Sequence, residues 1–269
     1  MSIKIVFLGE IVGKPGLHVI KKGLKGLKEE TGADYVVANA EGVTNGFGIG
    51  HIHSVQLLKS GIDLITTGEK TFYKKDMVES ISKNGRIIRP ANFPPKTPGR
   101  GYKIVEINGM KVAFITLLGT AEFNRISVYN PYLSINSLIE RLSGDCNAII
   151  LQFHASTTAE KNTMAFHVDG RVSAMIGTHT KVLTSDARIL PLQTAMITDN
   201  GICGTIDGVG GFEAETEIKR FLTQIPSRSM QYFGALEAQG VVVEIDDKGK
   251  AVSIDTVRYK VKGPQTEND

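Results

Sequence analysis

Residues 4–8 read KIVFL, a short apolar run that is closed by Gly9 and rich in residues that favour β-structure. Because the run is apolar throughout and does not alternate with polar residues, it predicts a strand buried on both faces. Pro15 suits the first turn of a helix, and residues 17–27 repeat apolar side chains at helical spacing before Gly32. This strand and helix predict the first half of a β-α-β unit.

The same alternation of strands and helices continues along the chain. Residues 35–38 (YVVA) and 63–67 (DLITT) read as buried strands around a helical pattern at 54–58, which predicts a parallel sheet. Residues 102–107 and 111–115 flank Asn108-Gly109, a dipeptide typical of a hairpin turn. The later predicted elements are helices at 134–142, 159–166 and 213–223, strands at 148–153, 174–176, 194–197, 240–245 and 252–259, and a glycine-rich loop at 201–211.

The predicted elements indicate an α/β fold in which two packed sheets are flanked by helices. The chain has 269 residues, of which 41% are hydrophobic, and this is enough to bury one large core. We therefore expect one domain at residues 1–260, followed by a polar C-terminal tail at 261–269.

Composition excludes several classes of partner. The formal net charge is +3, and the basic residues are spread along the chain, so nucleic acid is not an expected partner. No apolar run approaches the roughly 20 residues that a membrane helix needs, and the N-terminal residues lack the pattern of a signal peptide. Cys146 and Cys203 lie far apart without metal-ligand spacing, which predicts neither a disulfide framework nor a zinc ribbon. We expect a cytoplasmic protein without a membrane partner.

Acidic and basic side chains follow successive predicted strands, at the point where each strand ends. They are Glu10, Glu41, Glu69 with Lys70, His154, and His179 with Lys181. The carboxyl ends of the strands in an open α/β sheet form the edge where ligands bind, so these side chains should converge. A lone strand-end Glu or His is usually a solvated or capping residue. The joint placement of carboxylates and imidazoles instead predicts a metal site.

Seven short motifs, taken in order, resemble the YmdB-type branch of the calcineurin-like metallophosphoesterase superfamily. The motifs are FLGEIVG at 7–13, NAEG at 39–42, RPANFP at 89–94, FHA at 153–155, DGR at 169–171, GTHT at 177–180 and ITD at 197–199. The resemblance covers nearly the whole chain and implies a four-layer α/β/β/α fold. It also implies two bound metals, hydrolysis of cyclic nucleotides or related phosphodiesters, a nucleotide or phosphate ligand, and self-association into a homo-oligomer.

Carried over position by position, the resemblance implies metal-binding roles for the residues that this chain retains. These are Glu41, His154 and His179. Glu10 stands where the family has Asp, and Glu69 and Gly42 stand where it has Asn. Both glutamates still offer carboxylate oxygens, so we expect Glu10 and Glu69 to remain in the metal site.

Two lysines depart further from the family pattern. Lys181 stands in the place of a metal-ligand His, and a protonated ammonium has no lone pair to offer a metal. Lys70 stands in the place of the His that protonates the leaving group, and an ordinary Lys is a poor acid at neutral pH. We expect nearby glutamates to keep both lysines charged, with Lys181 replacing the first metal and neutralising Glu10 and Glu41.

This altered site leaves two hypotheses open. In the first, the chain is a pseudoenzyme with weak or absent phosphodiesterase activity that binds a ligand or a protein partner. In the second, it is an active phosphodiesterase with a rearranged, mononuclear centre. The second metal position, with Glu41, His154, His179 and Glu69, could bind one Mn, Fe or Zn ion, or none, and a dinuclear centre is not expected. We favour the first hypothesis because both lysines replace separate parts of the mechanism.

Overall fold

A computed structural model describes residues 2–123 and 125–264 of the chain. In chain order these residues form β1 (Ser2–Leu8), β2 (Glu10–Ile11), α1 (Gly13–Thr31), β3 (Tyr35–Asn39), α2 (His51–Lys59), β4 (Leu64–Thr66), α3 (Lys75–Lys83), β5 (Ile87–Ile88), β6 (Tyr102–Ile107), β7 (Met110–Leu118), α4 (Pro131–Leu142), β8 (Ala148–His154), α5 (Thr158–Val168), β9 (Ala174–Thr178), β10 (Arg188–Ile189), β11 (Ala195–Ile197), β12 (Ile202–Thr205), α6 (Ala214–Thr223), β13 (Leu236–Asp246) and β14 (Ala251–Val261). The first residues of the predicted tail belong to or follow β14, and 265–269 lie outside the described residues.

The first sheet has eight strands. Strands β1, β3, β4 and β5 are parallel neighbours, as the N-terminal β-α-β-α-β pattern predicts. Strand β13 runs antiparallel to β1 and β12, and it also pairs antiparallel with β14. The short strand β2 pairs in parallel with β12.

The second sheet has six strands in the order β10, β11, β9, β8, β7 and β6. Strands β7, β8, β9 and β11 are parallel, and β6 and β10 lie antiparallel at the two edges. The turn between β6 and β7 is the predicted hairpin. Asn108 and Gly109 both have positive φ angles, 49° and 82°, which is the conformation that this dipeptide favours.

Three layers of buried apolar side chains hold the two sheets and the helices together. Between the sheets, Ile5 and Phe7 of β1 pack in one cluster with Phe114 of β7 and Ile150 of β8. The outer face of the first sheet packs against α1, α2 and α3, and the outer face of the second packs against α4 and α5. The predicted four-layer α/β/β/α sandwich is confirmed. The assignment of residues 1–260 to a single domain stays a prediction.

The structure differs from the sequence prediction mainly in its short elements. Residues 202–205, predicted as part of a glycine-rich loop, form β12, and all four are buried. Helix α3 was not predicted because it buries only Met77 and Ile81. Strands β2 and β5 have two residues each, which is too short for a periodic pattern. Within the described residues, no helix combines the length and apolar character needed to cross a membrane.

Candidate functional site

The predicted site residues lie together at the carboxyl ends of parallel strands. Glu41 follows β3, and Glu69 and Lys70 follow β4 in the first sheet. His154 is the last residue of β8, and His179 directly follows β9 in the second sheet. Because the two sheets pack face to face, their strand ends bring carboxylates from one sheet against imidazoles from the other.

His154 is the centre of the site and is fully buried. Its Nε2 atom lies 2.7 Å from Oε2 of Glu69 and 3.1 Å from Nδ1 of His179. On the other side of the ring, Nδ1 lies 2.8 Å from Oγ1 of Thr178 and 3.4 Å from the side-chain amide of Asn39. These contacts fix the orientation of the ring and direct Nε2 at Glu69 and His179.

The pKa values of the two histidines shift in opposite directions. Burial alone would lower the pKa of His154, but the Glu69 carboxylate beside it raises the pKa above its usual value. Burial and the nearby His154 lower the pKa of His179 to about 3. Burial acts to raise the pKa of Glu69, yet contact with His154 holds it well below its usual range. The neutral imidazole of His179 therefore keeps a lone pair at physiological pH, as a metal ligand requires.

The residues around His154 fit one divalent metal ion. One donor atom each from Glu69, His154 and His179 lies within 4.8 Å of the other two. Zinc–nitrogen bonds of about 2.0–2.1 Å in a tetrahedron place donor atoms roughly 3.4 Å apart. Nε2 of His154 lies 2.7 Å from Oε2 of Glu69 and 3.1 Å from Nδ1 of His179, and the latter two atoms are 3.8 Å apart. These separations bracket the distance expected for zinc. Two imidazoles and a carboxylate also suit manganese or iron.

Glu41 has a different environment from these three residues. Its Oε2 accepts a 2.6 Å hydrogen bond from the backbone N–H of Gly68, and Oε1 accepts one from the backbone N–H of Lys70. Burial, and then the Glu69 carboxylate, raise the pKa of Glu41 to about 7. The carboxylate thus ties β3 to the loop that follows β4. Its predicted role as a metal ligand stays a prediction.

Each of the two lysines that stand in the place of family histidines contacts a carboxylate. Nζ of Lys181 lies 3.5 Å from Oε1 of Glu10, and Nζ of Lys70 lies 3.3 Å from Oε1 of Glu69. Burial opposes the ammonium charge of Lys70, but Glu10, and then Glu69 and Glu41, raise its pKa. This agrees with the sequence-based expectation that glutamates keep Lys70 charged.

Gly42 lies against Glu10. A Cβ atom on Gly42 would lie 2.5 Å from Oε1 of Glu10, which is closer than real side chains approach. The longer acid at position 10 therefore extends into space that a side chain at position 42 would need. The two departures from the family pattern are sterically linked.

A buried ion pair supports the loop that carries His179 and Lys181. Both residues have positive φ angles, 111° and 60°, in a region that non-glycine residues rarely adopt. Between them, the N–H of Thr180 donates a 2.8 Å hydrogen bond to Oδ2 of Asp199. The same oxygen lies 3.0 Å from Nζ of Lys161, and both side chains of this pair are buried.

Sequence reasoning missed three contributors to the site. Asn39 and Asp199 lie inside two of the seven motifs, at strand ends. The rule that ligand-binding side chains follow the carboxyl ends of strands, here called the strand-end rule, could therefore have identified them. Phe123 has no such signal. Its ring stacks on His154 at 6.1 Å and meets His179 edge-on at 5.1 Å. Beside it lies a cavity of about 360 Å³, which is lined by Glu69, Tyr73, Glu122, Phe123, Arg125, Ile126 and His179.

The chain is similar to known proteins along nearly its whole length. The profile of the YmdB-like protein family matches residues 6–257. A Bacillus subtilis (strain 168) protein named 2',3'-cyclic-nucleotide 2'-phosphodiesterase is 39% identical over 256 residues, which cover 95% of this chain and 96% of that protein. A Mycoplasma pneumoniae crystal structure described as a novel phosphatase is 33% identical with a TM-score of 0.91, covering 97% of this chain and 94% of that one.

A more distant structure shares the fold alone. The NAD nucleotidase of Haemophilus influenzae has a TM-score of 0.59 and 13% identity, and the match covers 96% of this chain and 56% of that one. The four-layer sandwich is thus also found in a nucleotidase.

Proposed function

The chain belongs to the YmdB-like protein family, within the metallophosphoesterase superfamily, and we propose that it binds a nucleotide or phosphate ligand but hydrolyses phosphodiesters weakly or not at all. The Bacillus subtilis relative is named as a cyclic-nucleotide phosphodiesterase, so its substrate class indicates the ligand. The observation that carries the proposal is the pairing of Lys181 with Glu10, with Nζ and Oε1 at 3.5 Å.

In this pairing the ammonium group of Lys181 supplies the positive charge that a metal ion beside Glu10 would otherwise supply. Three glutamates surround the site, and the ammonium groups of Lys70 and Lys181 lie against two of them. A second divalent cation would have to bind beside these ammonium groups, where like charges repel it. The side chains therefore favour one bound ion, or none, over a dinuclear centre.

The second part of the proposal concerns proton transfer. A leaving oxygen needs a donor whose pKa is close to the working pH. The pKa of Lys70 is raised above that of an ordinary Lys by the glutamates around it, so Lys70 holds its proton too tightly. Lys70 can still attract a phosphate oxygen by charge, which supports binding more than hydrolysis.

A rival function, an active mononuclear phosphodiesterase, is favoured by one observation. Glu69, His154 and His179 gather donors suited to one ion beside a cavity of about 360 Å³. An ion bound there would polarise a phosphate oxygen. Arg125 and Phe123 line the same cavity, where a guanidinium and an aromatic ring could contact a nucleotide.

Metal content and turnover together test the proposal. The chain is purified without chelator, incubated with manganese, iron or zinc, and assayed by elemental analysis and with 2',3'-cyclic AMP. We expect at most one ion per chain and turnover about 100-fold or more below that of the Bacillus subtilis relative, since a general acid typically contributes this much. Two tightly bound ions would overturn the proposal, and one ion with comparable turnover would establish the rival function.

A restoring variant tests the cause of the low activity. Lys70→His with Lys181→His returns both imidazoles, so it should raise metal content towards two ions and increase hydrolysis. The matched control is Lys22→His with Lys59→His, because both of these lysines are exposed on helices α1 and α2 and neither follows a strand end of the site. Equal turnover in the folded restoring variant and the control would count against the roles given to the two lysines.

We further propose that residues 1–260 act as one domain in the cytoplasm. The family match across residues 6–257 supports the single unit. Limited proteolysis that released a stable fragment from the middle of this range would contradict it.

A further inference from the structure

Helix α6 exposes its apolar side chains and buries a charged one. Ile218, Phe221 and Leu222 follow the i, i+3, i+4 spacing of one helical stripe. Ile225 follows Gln224, whose left-handed backbone (φ 57°) ends the helix, and it adds a fourth exposed apolar side chain near the end of the stripe. All four are more than half exposed, and Phe221 and Leu222 are 77% and 80% exposed.

The inward face of α6 is polar. Of the ten residues of α6, all of them described, Glu217 is the one that is buried, and its Oε2 accepts a 2.7 Å hydrogen bond from Arg220. A surface helix ordinarily turns its apolar stripe to the core and its charges to water. An exposed apolar stripe of this kind is typical of a surface that binds a partner.

We propose that this stripe is an interface between two copies of the chain, in which α6 packs antiparallel against α6 of a second copy about a two-fold axis. The stripe is continuous and centred on Phe221 and Leu222, so the same patch on both copies can interdigitate.

The charges along the helix favour this occupant and this direction. Glu213 and Glu215 lie at the start of α6, whereas Lys219 and Arg228 lie towards and beyond its end. Antiparallel packing places the acidic end of one helix by the basic end of the other, and parallel packing would place like charges together. A helix that lies on an anionic membrane has a polar face rich in Lys and Arg, whereas α6 has equal numbers of acidic and basic residues.

The mass of the assembly in solution tests the interface. Light scattering after size-exclusion chromatography should show an oligomer for the wild-type chain, and Phe221→Glu and Leu222→Lys should each reduce its mass at least two-fold. The matched controls are Phe166→Glu on α5 and Leu133→Lys on α4, since these residues are 59% and 68% exposed. The controls should leave the mass unchanged.

A cysteine cross-link tests the arrangement about the axis. In a Cys146→Ser background, Leu222→Cys should form a disulfide-linked pair under mild oxidation, and Leu133→Cys should not. Cys203 is buried, so we expect it not to react in either variant. A monomeric wild-type chain would overturn the proposal, and it would do so even if the monomer bound anionic vesicles. An oligomer whose mass is unchanged by both α6 substitutions would also overturn it.

Discussion

Lys181 directs its ammonium group at a buried carboxylate oxygen of Glu10, with Nζ 3.5 Å from Oε1. Oε1 of Glu10 has no hydrogen-bond partner among the described residues, so it depends on nearby positive charge, which Lys181 supplies by this ion pair and Lys70 supplies from close by. A carboxylate taken out of water without a compensating group is costly. The pair therefore contributes to stability as well as to the character of the site.

Removal of the Lys181 charge should destabilise the fold. Lys181→Met leaves the Glu10 carboxylate buried, and we expect the free energy of unfolding to fall by about 1–3 kcal/mol. This is below the full cost of breaking a buried pair because Lys181 is 19% exposed and Lys70 also acts on Glu10. Urea unfolding in chelator measures the change. The double variant Lys181→Met with Glu10→Gln should recover much of it, and a single variant as stable as the wild type would contradict the role of the pair.

An alanine at position 42 should be better tolerated when Glu10 is shortened. Gly42→Ala places a Cβ atom 2.5 Å from Oε1 of Glu10, so we expect a loss of about 1–3 kcal/mol in unfolding free energy. Glu10→Asp withdraws the carboxylate by one methylene. The Glu10→Asp/Gly42→Ala double variant should therefore be more stable than the sum of the two single changes, as a double-mutant cycle measures. Simple additivity would show that the two positions are independent.

Strong local patterns made most of the fold predictable. The unbroken apolar run at residues 4–8 and the turn at Asn108 and Gly109 specify their conformations from nearby sequence alone. The strand-end rule likewise identified the three donors Glu69, His154 and His179.

Other features depend on tertiary contacts that sequence patterns do not record. Strand β12 exists because it pairs with β2 and β13, which are distant in sequence. Lys161 and Asp199 are 38 positions apart and would each be expected on the surface, so their buried pairing had no sequence signal.

Glu41 should give the fold a distinctive dependence on pH. Its pKa is raised to about 7 in the folded chain from an ordinary 4.5, so between these values the folded chain holds a proton that the unfolded chain releases. Glu41 therefore makes the free energy of unfolding decrease as pH rises through this window. Glu41→Gln removes the titrating carboxyl group and with it this dependence on pH. In chelator, the stability of the variant relative to the wild type should increase by roughly 1–3 kcal/mol from about pH 4.5 to about pH 7.

The comparison between variant and wild type isolates this effect from that of His179. The pKa of His179 is lowered to about 3, so the unfolded chain binds a proton that the folded chain lacks, and stability rises with pH between about 3 and 6.5. This opposing slope is present in both proteins and cancels to first order in the difference. The exposed Glu29→Gln serves as the control. A difference that stays constant with pH, or decreases as pH rises, would show that Glu41 ionises normally in the folded chain.

The buried pair of Lys161 and Asp199 should act on the His179 loop as well as on overall stability. Asp199→Ala and Lys161→Met each leave one charge buried without its partner, so each should lower the unfolding free energy by about 3–5 kcal/mol. Only Asp199→Ala also removes the acceptor for the N–H of Thr180, which lies between two residues with positive φ. Hydrogen exchange at Thr180, corrected for global stability, should therefore accelerate in Asp199→Ala and remain slow in Lys161→Met. Equal exchange in the two variants would mean that the pair supports the core and does not position the loop.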